Sequence, residues 1–167
     1  MSSLRYSPLV NPRDTAAELE STIERYNAAW NAHDVETILL LHAPGMVFEN
    51  HTAGDRVEGE GVGPHIAGIF ERNPDLRFTG RRLYARDGLV VSEWTATATN
   101  RSGQRVEWDG IDVFPFENGL ILRKDVYSSS HNPRVLDDLL PWLGREFMRR
   151  PACPPRSSGS SPPPSSS

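Results

Sequence analysis

A chain of 167 residues, with 18 basic against 22 acidic residues and a formal net charge of −4, has room for one domain with a real core. It contains no run of Lys or Arg, so it does not read as a nucleic-acid or membrane-surface binder. The single cysteine, Cys153, lies in a Pro/Ser-rich stretch, which excludes a disulfide framework and a thiolate metal cluster and fits a reducing cytosol.

Residues 1–13 contain Pro8 and Pro12 with little periodicity and read as an N-terminal arm. They lack a basic start followed by an apolar segment, and no later stretch is apolar for long enough to cross a bilayer, so the expectation is a soluble, cytoplasmic protein with no membrane partner. A first helix is predicted from Asp14 or Thr15, with Glu18 in its first turn and Leu19, Ile23, Tyr26 and Trp30 on one face. Asp34 then caps a second helix through Val35, Ile38, Leu39 and Leu41, which Pro44-Gly45 ends, and Met46 to Asn50 reads as a short strand. Residues 51–63 hold four glycines among charged residues and are expected to form a loop. A third helix, Pro64 to Arg72, stops at Asn73-Pro74, because the residue before proline resists the α region.

After it the period changes to two. Leu76 to Arg86, Leu89 to Asn100, Gln104 to Phe116 and Leu120 to Ser130 are predicted strands, joined at Asp87-Gly88, Ser102-Gly103 and Asn118-Gly119 into an antiparallel meander. The residues from Val135 to Met148 form an amphipathic segment, with Pro141 either kinking it or opening a second short helix, within a C-terminal helical extension, 131–150. Residues 151–167 are nearly all Pro, Ser and Gly, a composition expected to stay disordered.

The last two strands carry acids in apolar surroundings. By parity Asp109 shares a face with Ile111 and Val113, and Asp125 shares one with Ile121 and Tyr127. Acids on an apolar face are costly unless they have a use, whereas on the outer face they are ordinary surface charges or ion-pair partners. Trp108, Phe114 and Phe116 lie on the opposite parity from Asp109 and could form core or a dimer surface. The five histidines show neither HxH nor HExxH spacing, so no metal is expected; His51 could act as a base near a pocket mouth.

The order of elements, with Glu24-Arg25-Tyr26 before Trp30-Asn31-Ala32-His33-Asp34-Val35-Glu36 and Val47-Phe48-Glu49-Asn50 after the second helix, resembles the nuclear transport factor 2-like superfamily, and within it the SnoaL-like polyketide cyclases and ketosteroid isomerases. The resemblance spans residues 14–130. It implies an α+β, cone-shaped fold in which three helices pack into a strongly curved, mostly antiparallel sheet. It also implies a homodimer and a central pocket for a small hydrophobic ligand, which Trp30, Trp94, Trp108, His51 and Tyr127 would line. Tyr26 and a protonated Asp109 fall on the two donors of an oxyanion hole. The position of the isomerase base is Asn50, an amide that cannot accept a proton at neutral pH, and Asp125 is the replacement the cyclases suggest. The function so implied is a cofactor-independent isomerase or cyclase that abstracts a proton beside a carbonyl. A non-catalytic ligand-binding or dimerisation module is one alternative, and an epoxide hydrolase-like enzyme, lacking the usual Arg-x-Asp pair at Ser92-Glu93-Trp94-Thr95, is another.

Overall fold

The structure, a computed structural model, describes residues 15–86 and 88–136. The expected arm, the greater part of the C-terminal extension and the Pro/Ser-rich tail lie outside the described residues.

Helix α1 (Ala16–Ala32) opens on a capping box, in which Thr15 accepts from the Glu18 amide and the Glu18 carboxylate accepts from the Thr15 amide. It closes at His33, which adopts a left-handed conformation and meets the Leu76 carbonyl. Its buried stripe of Leu19, Ile23, Tyr26 and Trp30 enters the core. Asn31 ties the helix to the sheet by bonding both the carbonyl and the amide of Phe78. Helix α2 (Val35–Leu40) is capped by Asp34, and α3 (Val62–Arg72) follows a short 3-10 turn.

The strands are β1 (His42–Asn50), β2 (Asp55–Glu58), β3 (Arg77–Arg86), β4 (Leu89–Thr99), β5 (Arg105–Glu117), β6 (Leu120–Ser128) and β7 (Arg134–Val135). They form one mixed sheet in the order β2-β1-β6-β5-β4-β3, with β7 on β5. The β1–β6 pair is parallel and the other pairs are antiparallel. This is the expected α+β architecture of three helices against a curved sheet. It differs in detail where short elements gain partners: β2 forms within the expected loop because it pairs with β1, β1 starts at His42 opposite Ile121 and runs through Pro44-Gly45, which were expected to end α2, and Val135, expected to open the amphipathic segment, joins Arg134 in a strand because both pair with β5.

Between β5 and β6 the turn is Asn118-Gly119, both at positive φ, as the tight hairpin requires. Two irregularities then set which residues face the helices. Gly80 pairs with Trp94 but Arg82 with Glu93, so Arg81 is one residue too many on β3. On β6 three residues, 122–124, oppose two on β5, between the pairs Phe116–Ile121 and Val113–Asp125. Ile121 and Lys124 are consequently both buried, although their spacing is odd. The helix-facing side of β4 and β5 carries Val90, Ser92, Trp94 and Ala96, and Trp108, Gly110, Asp112, Phe114 and Phe116. Trp108, Phe114 and Phe116 therefore pack with the core rather than offering a dimer surface.

Candidate functional site

The helix-facing side of the sheet encloses a cavity of about 210 Å³. Its depth is marked by buried residues, Trp30 from α1, Trp94 from β4, Asp112 from β5 and Lys124 from β6; Phe48, Phe78 and Trp108 line its walls. Exposed Asp55, Arg72 and Ser130 mark its mouth, together with Asn50 and His65.

At the floor, the Lys124 ammonium lies 2.8 Å from Asp112 Oδ2, and both side chains are nearly inaccessible to water. The ammonium is caged by rings, 4.5 Å from the centre of Trp30 and 5.3 and 5.4 Å from Tyr26 and Phe114. Such a cage and one carboxylate oxygen offset part of the cost of burying a cation. Burial pushes the Asp112 carboxyl above the usual carboxylate range, against the opposing pull of Lys124. Among the described residues, Asp112 Oδ1 and the indole nitrogens Nε1 of Trp30 and Trp94 are buried and make no hydrogen bond of normal geometry, although the Trp94 N–H lies near enough to Asp112, and the Trp30 N–H to the Tyr26 phenol, to pull each acid downward. Buried polar groups are normally paired, so an acceptor and two donors without good geometry around the same cavity are the groups there best placed to meet a polar ligand. Gly110 seats one of them: a Cβ there would lie 2.3 Å from the Trp94 ring, so only a glycine lets the indole lie across β5.

Asp109 and Asp125, expected to converge on the pocket, stand on the opposite face of the sheet. Ile111 and Tyr127, which share that side, are exposed, so their apolar character did not mark the core. Asp109 accepts from Thr95, Arg81 and Arg134. Those partners, the Arg134 bond foremost, hold its carboxyl down at about 2, so it has no proton to donate at neutral pH. For Asp125 burial acts upward, but bonds from Arg123 and His51 outweigh it and the carboxyl is lowered. Its grouping with Ile121 fails because the extra residue in β6 changes parity between them.

Tyr26 is fully buried, yet its hydroxyl meets His42 Nε2 at 3.1 Å and it is absent from the cavity lining; burial pushes its phenol well above the ordinary range. Asn50 lines the mouth, where its side-chain oxygen accepts from the amides of Thr52 and Ala53 and shapes the following turn. Trp30, Trp94 and Trp108 line the cavity, whereas His51 stacks on Tyr127 on the outer face, ring centres 4.4 Å apart.

Glu49, His51 and Asp125 bring ligand atoms within 4.8 Å of one another, the one such grouping among the described residues. Arg123 donates to both carboxylates, so the cluster already has its cation. A larger outer hollow of about 890 Å³ is lined in part by Arg81, Arg82, Glu93, Asp109 and Arg134, whose charges pair with one another or with Glu107. Asp112 and Lys124 were missed by sequence reasoning; the available signal was Asp112's parity with Phe114, Phe116 and Trp108.

Residues 23–124 match the model of a family described as the SnoaL-like domain. No curated protein matches the chain. Among solved structures, AclR, a candidate hydroxylase from Streptomyces galilaeus, is 24% identical with a TM-score of 0.62, over 78% of this chain and 98% of that one. A candidate SnoaL-like polyketide cyclase from Jannaschia sp. CCS1 is 19% identical with a TM-score of 0.62, over 84% and 97%. An uncharacterized cystatin-fold protein from Novosphingobium aromaticivorans is 28% identical with a TM-score of 0.58, over 66% and 97%. Such neighbours share the fold, which hosts many chemistries.

Proposed function

The chain belongs to the SnoaL-like domain family, and from that premise we propose that it is a cofactor-independent isomerase or cyclase acting on a small, apolar, carbonyl-containing molecule held in the interior cavity. The observation that carries this reading is the buried Asp112 carboxylate in the cavity wall, with one oxygen on Lys124 and the other in no hydrogen bond of normal geometry among the described residues, in a cavity that Trp30 and Trp94 also line. Asp112 is the base: one oxygen is engaged by Lys124, the other is free to take a proton from the carbon next to the carbonyl. The electron pair of that C–H bond moves into the enolate, whose oxygen is stabilised by the Lys124 ammonium and the Trp30 and Trp94 donors. The proton then returns from Asp112 to a different carbon, or the enolate carbon attacks a second carbonyl of the same molecule, whose C=O π pair moves onto its oxygen and takes the proton from Asp112. A carboxyl raised by burial is better matched to proton transfer near neutral pH than an ordinary surface acid. The proposed base thus moves from Asp125 to Asp112, and the proposed oxygen donors from Tyr26 and Asp109 to Lys124 and the two indoles.

The test is exchange of carbon-bound hydrogen for deuterium in a panel of cyclic ketones, followed by NMR in D₂O. Wild type should exchange at least one of them, and Asp112→Asn should lower the rate about 10²-fold or more, whereas Asp125→Asn and Tyr26→Phe should retain it. Exchange that survives Asp112→Asn and is lost with Asp125→Asn would overturn the assignment. Binding of the ketones without exchange would favour the ligand-carrier reading.

A further inference from the structure

Helix α3 forms one wall of the cavity with His65, Ile69 and Arg72, spaced as one helical stripe. Ile69 is apolar, but the residues on either side of it are not. The His65 ring lies 5.1 Å from that of Phe48, and its nitrogens have no hydrogen-bond partner among the described residues. Arg72 has neither a hydrogen bond nor an ion pair among the described residues. Its guanidinium folds back against Gly68, where an added Cβ would sit 3.1 Å from Nη1, so the helix leaves room for it beside the mouth. Asp55, which β2 brings to the same mouth, forms no ion pair with it.

On the outer face, by contrast, Arg81, Arg82, Arg123 and Arg134 are each paired with a carboxylate. An unpaired guanidinium at the entrance of an aromatic-walled cavity is a fork without its anion. The cavity therefore has two polar ends separated by rings: open hydrogen-bonding groups at the floor and a cation at the mouth.

We propose that Arg72, aided by His65, is a specificity determinant for a ligand bearing a carboxylate at the end remote from its carbonyl. This rests on the reading above, in which the floor receives the carbonyl end. The ligand so described is a short, flat amphiphile. A cavity of about 150 Å³ holds a single benzene ring, and 210 Å³ suits one or two fused rings.

The experiment compares 2-naphthol with 6-hydroxy-2-naphthoate by isothermal titration calorimetry at low salt. Both offer an enolate-like oxygen to the floor, and only the second offers a carboxylate to the mouth. Wild type should bind the acid roughly five- to tenfold more tightly than the naphthol, as a partly exposed charge-assisted pair allows. That preference should shrink with added salt and disappear in Arg72→Gln, with naphthol affinity retained; Asp55→Asn should enlarge it. Naphthol binding with no preference for the acid, or a preference that survives Arg72→Gln, overturns the subsite and leaves the floor assignment standing. If wild type binds neither compound, the floor reading falls and the subsite falls with it.

Discussion

The two faces of the sheet use the same chemical groups to opposite ends. On the outer face Arg123 joins Glu49 and Asp125, His51 adds a further bond to Asp125, and Arg56 a second one to Glu49. On the inner face Lys124 and Asp112 have each other, and Asp112 keeps one oxygen open. Asp112 stands three residues from Asp109, and Lys124 adjoins Asp125, so neither composition nor neighbourhood in sequence separates them. What separates them is completeness. A carboxylate supplied with several donors in water's reach is stable and inert, while a buried one with an oxygen left open carries an unmet desolvation cost that a partner would lower.

The sharpest way to break this contrast is to remove one charge from each face. Lys124→Met leaves Asp112 alone in the interior and should cost about 3–5 kcal/mol in urea unfolding, with most of the loss recovered in Lys124→Met/Asp112→Leu. Arg123→Met should shift the midpoint far less, because its carboxylates remain wetted and partnered. Equal losses on the two faces would show that the inner pair is no more desolvated than the outer one.

Next in size is a dependence on pH. His42 is half-buried beside Tyr26, and desolvation, then the Lys124 charge, push its imidazole down to about 4 from 6.5. Between those values the unfolded chain binds a proton that the folded one refuses, so stability is full above about pH 6.5 and falls as pH drops toward 4. At 1.36 kcal/mol per unit the loss approaches ~3 kcal/mol. The urea midpoint followed over that range should slope in wild type and flatten in His42→Gln.

Smaller again is Gly110→Ala, which drives a methyl group into the Trp94 ring. About 1–3 kcal/mol of overpacking is expected, together with altered tryptophan fluorescence as the indole is displaced.

The elements themselves were largely legible. Thr15 with Glu18, Asp34, Asn73-Pro74 and Asn118-Gly119 are local signals, and each marks a boundary or turn close to where the chain makes it. The candidate site was not, since it depends on which side of a strand faces the helices. Alternation fixes only relative sides, and Ile111 and Tyr127 gave a false absolute one by being apolar and exposed. The row of Trp108, Phe114 and Phe116 held the better signal, because large aromatic side chains gain most from burial. Nothing in the sequence announced the extra residue in β6, whose register is a property of the paired strands.

In a strand without that extra residue, Ile121 facing inward would bring Arg123 and Asp125 inward with it, and the cavity would inherit the outer pair. The pairing of β6, and not its side chains alone, therefore decides which of two adjacent charges, Lys124 or Asp125, the interior receives.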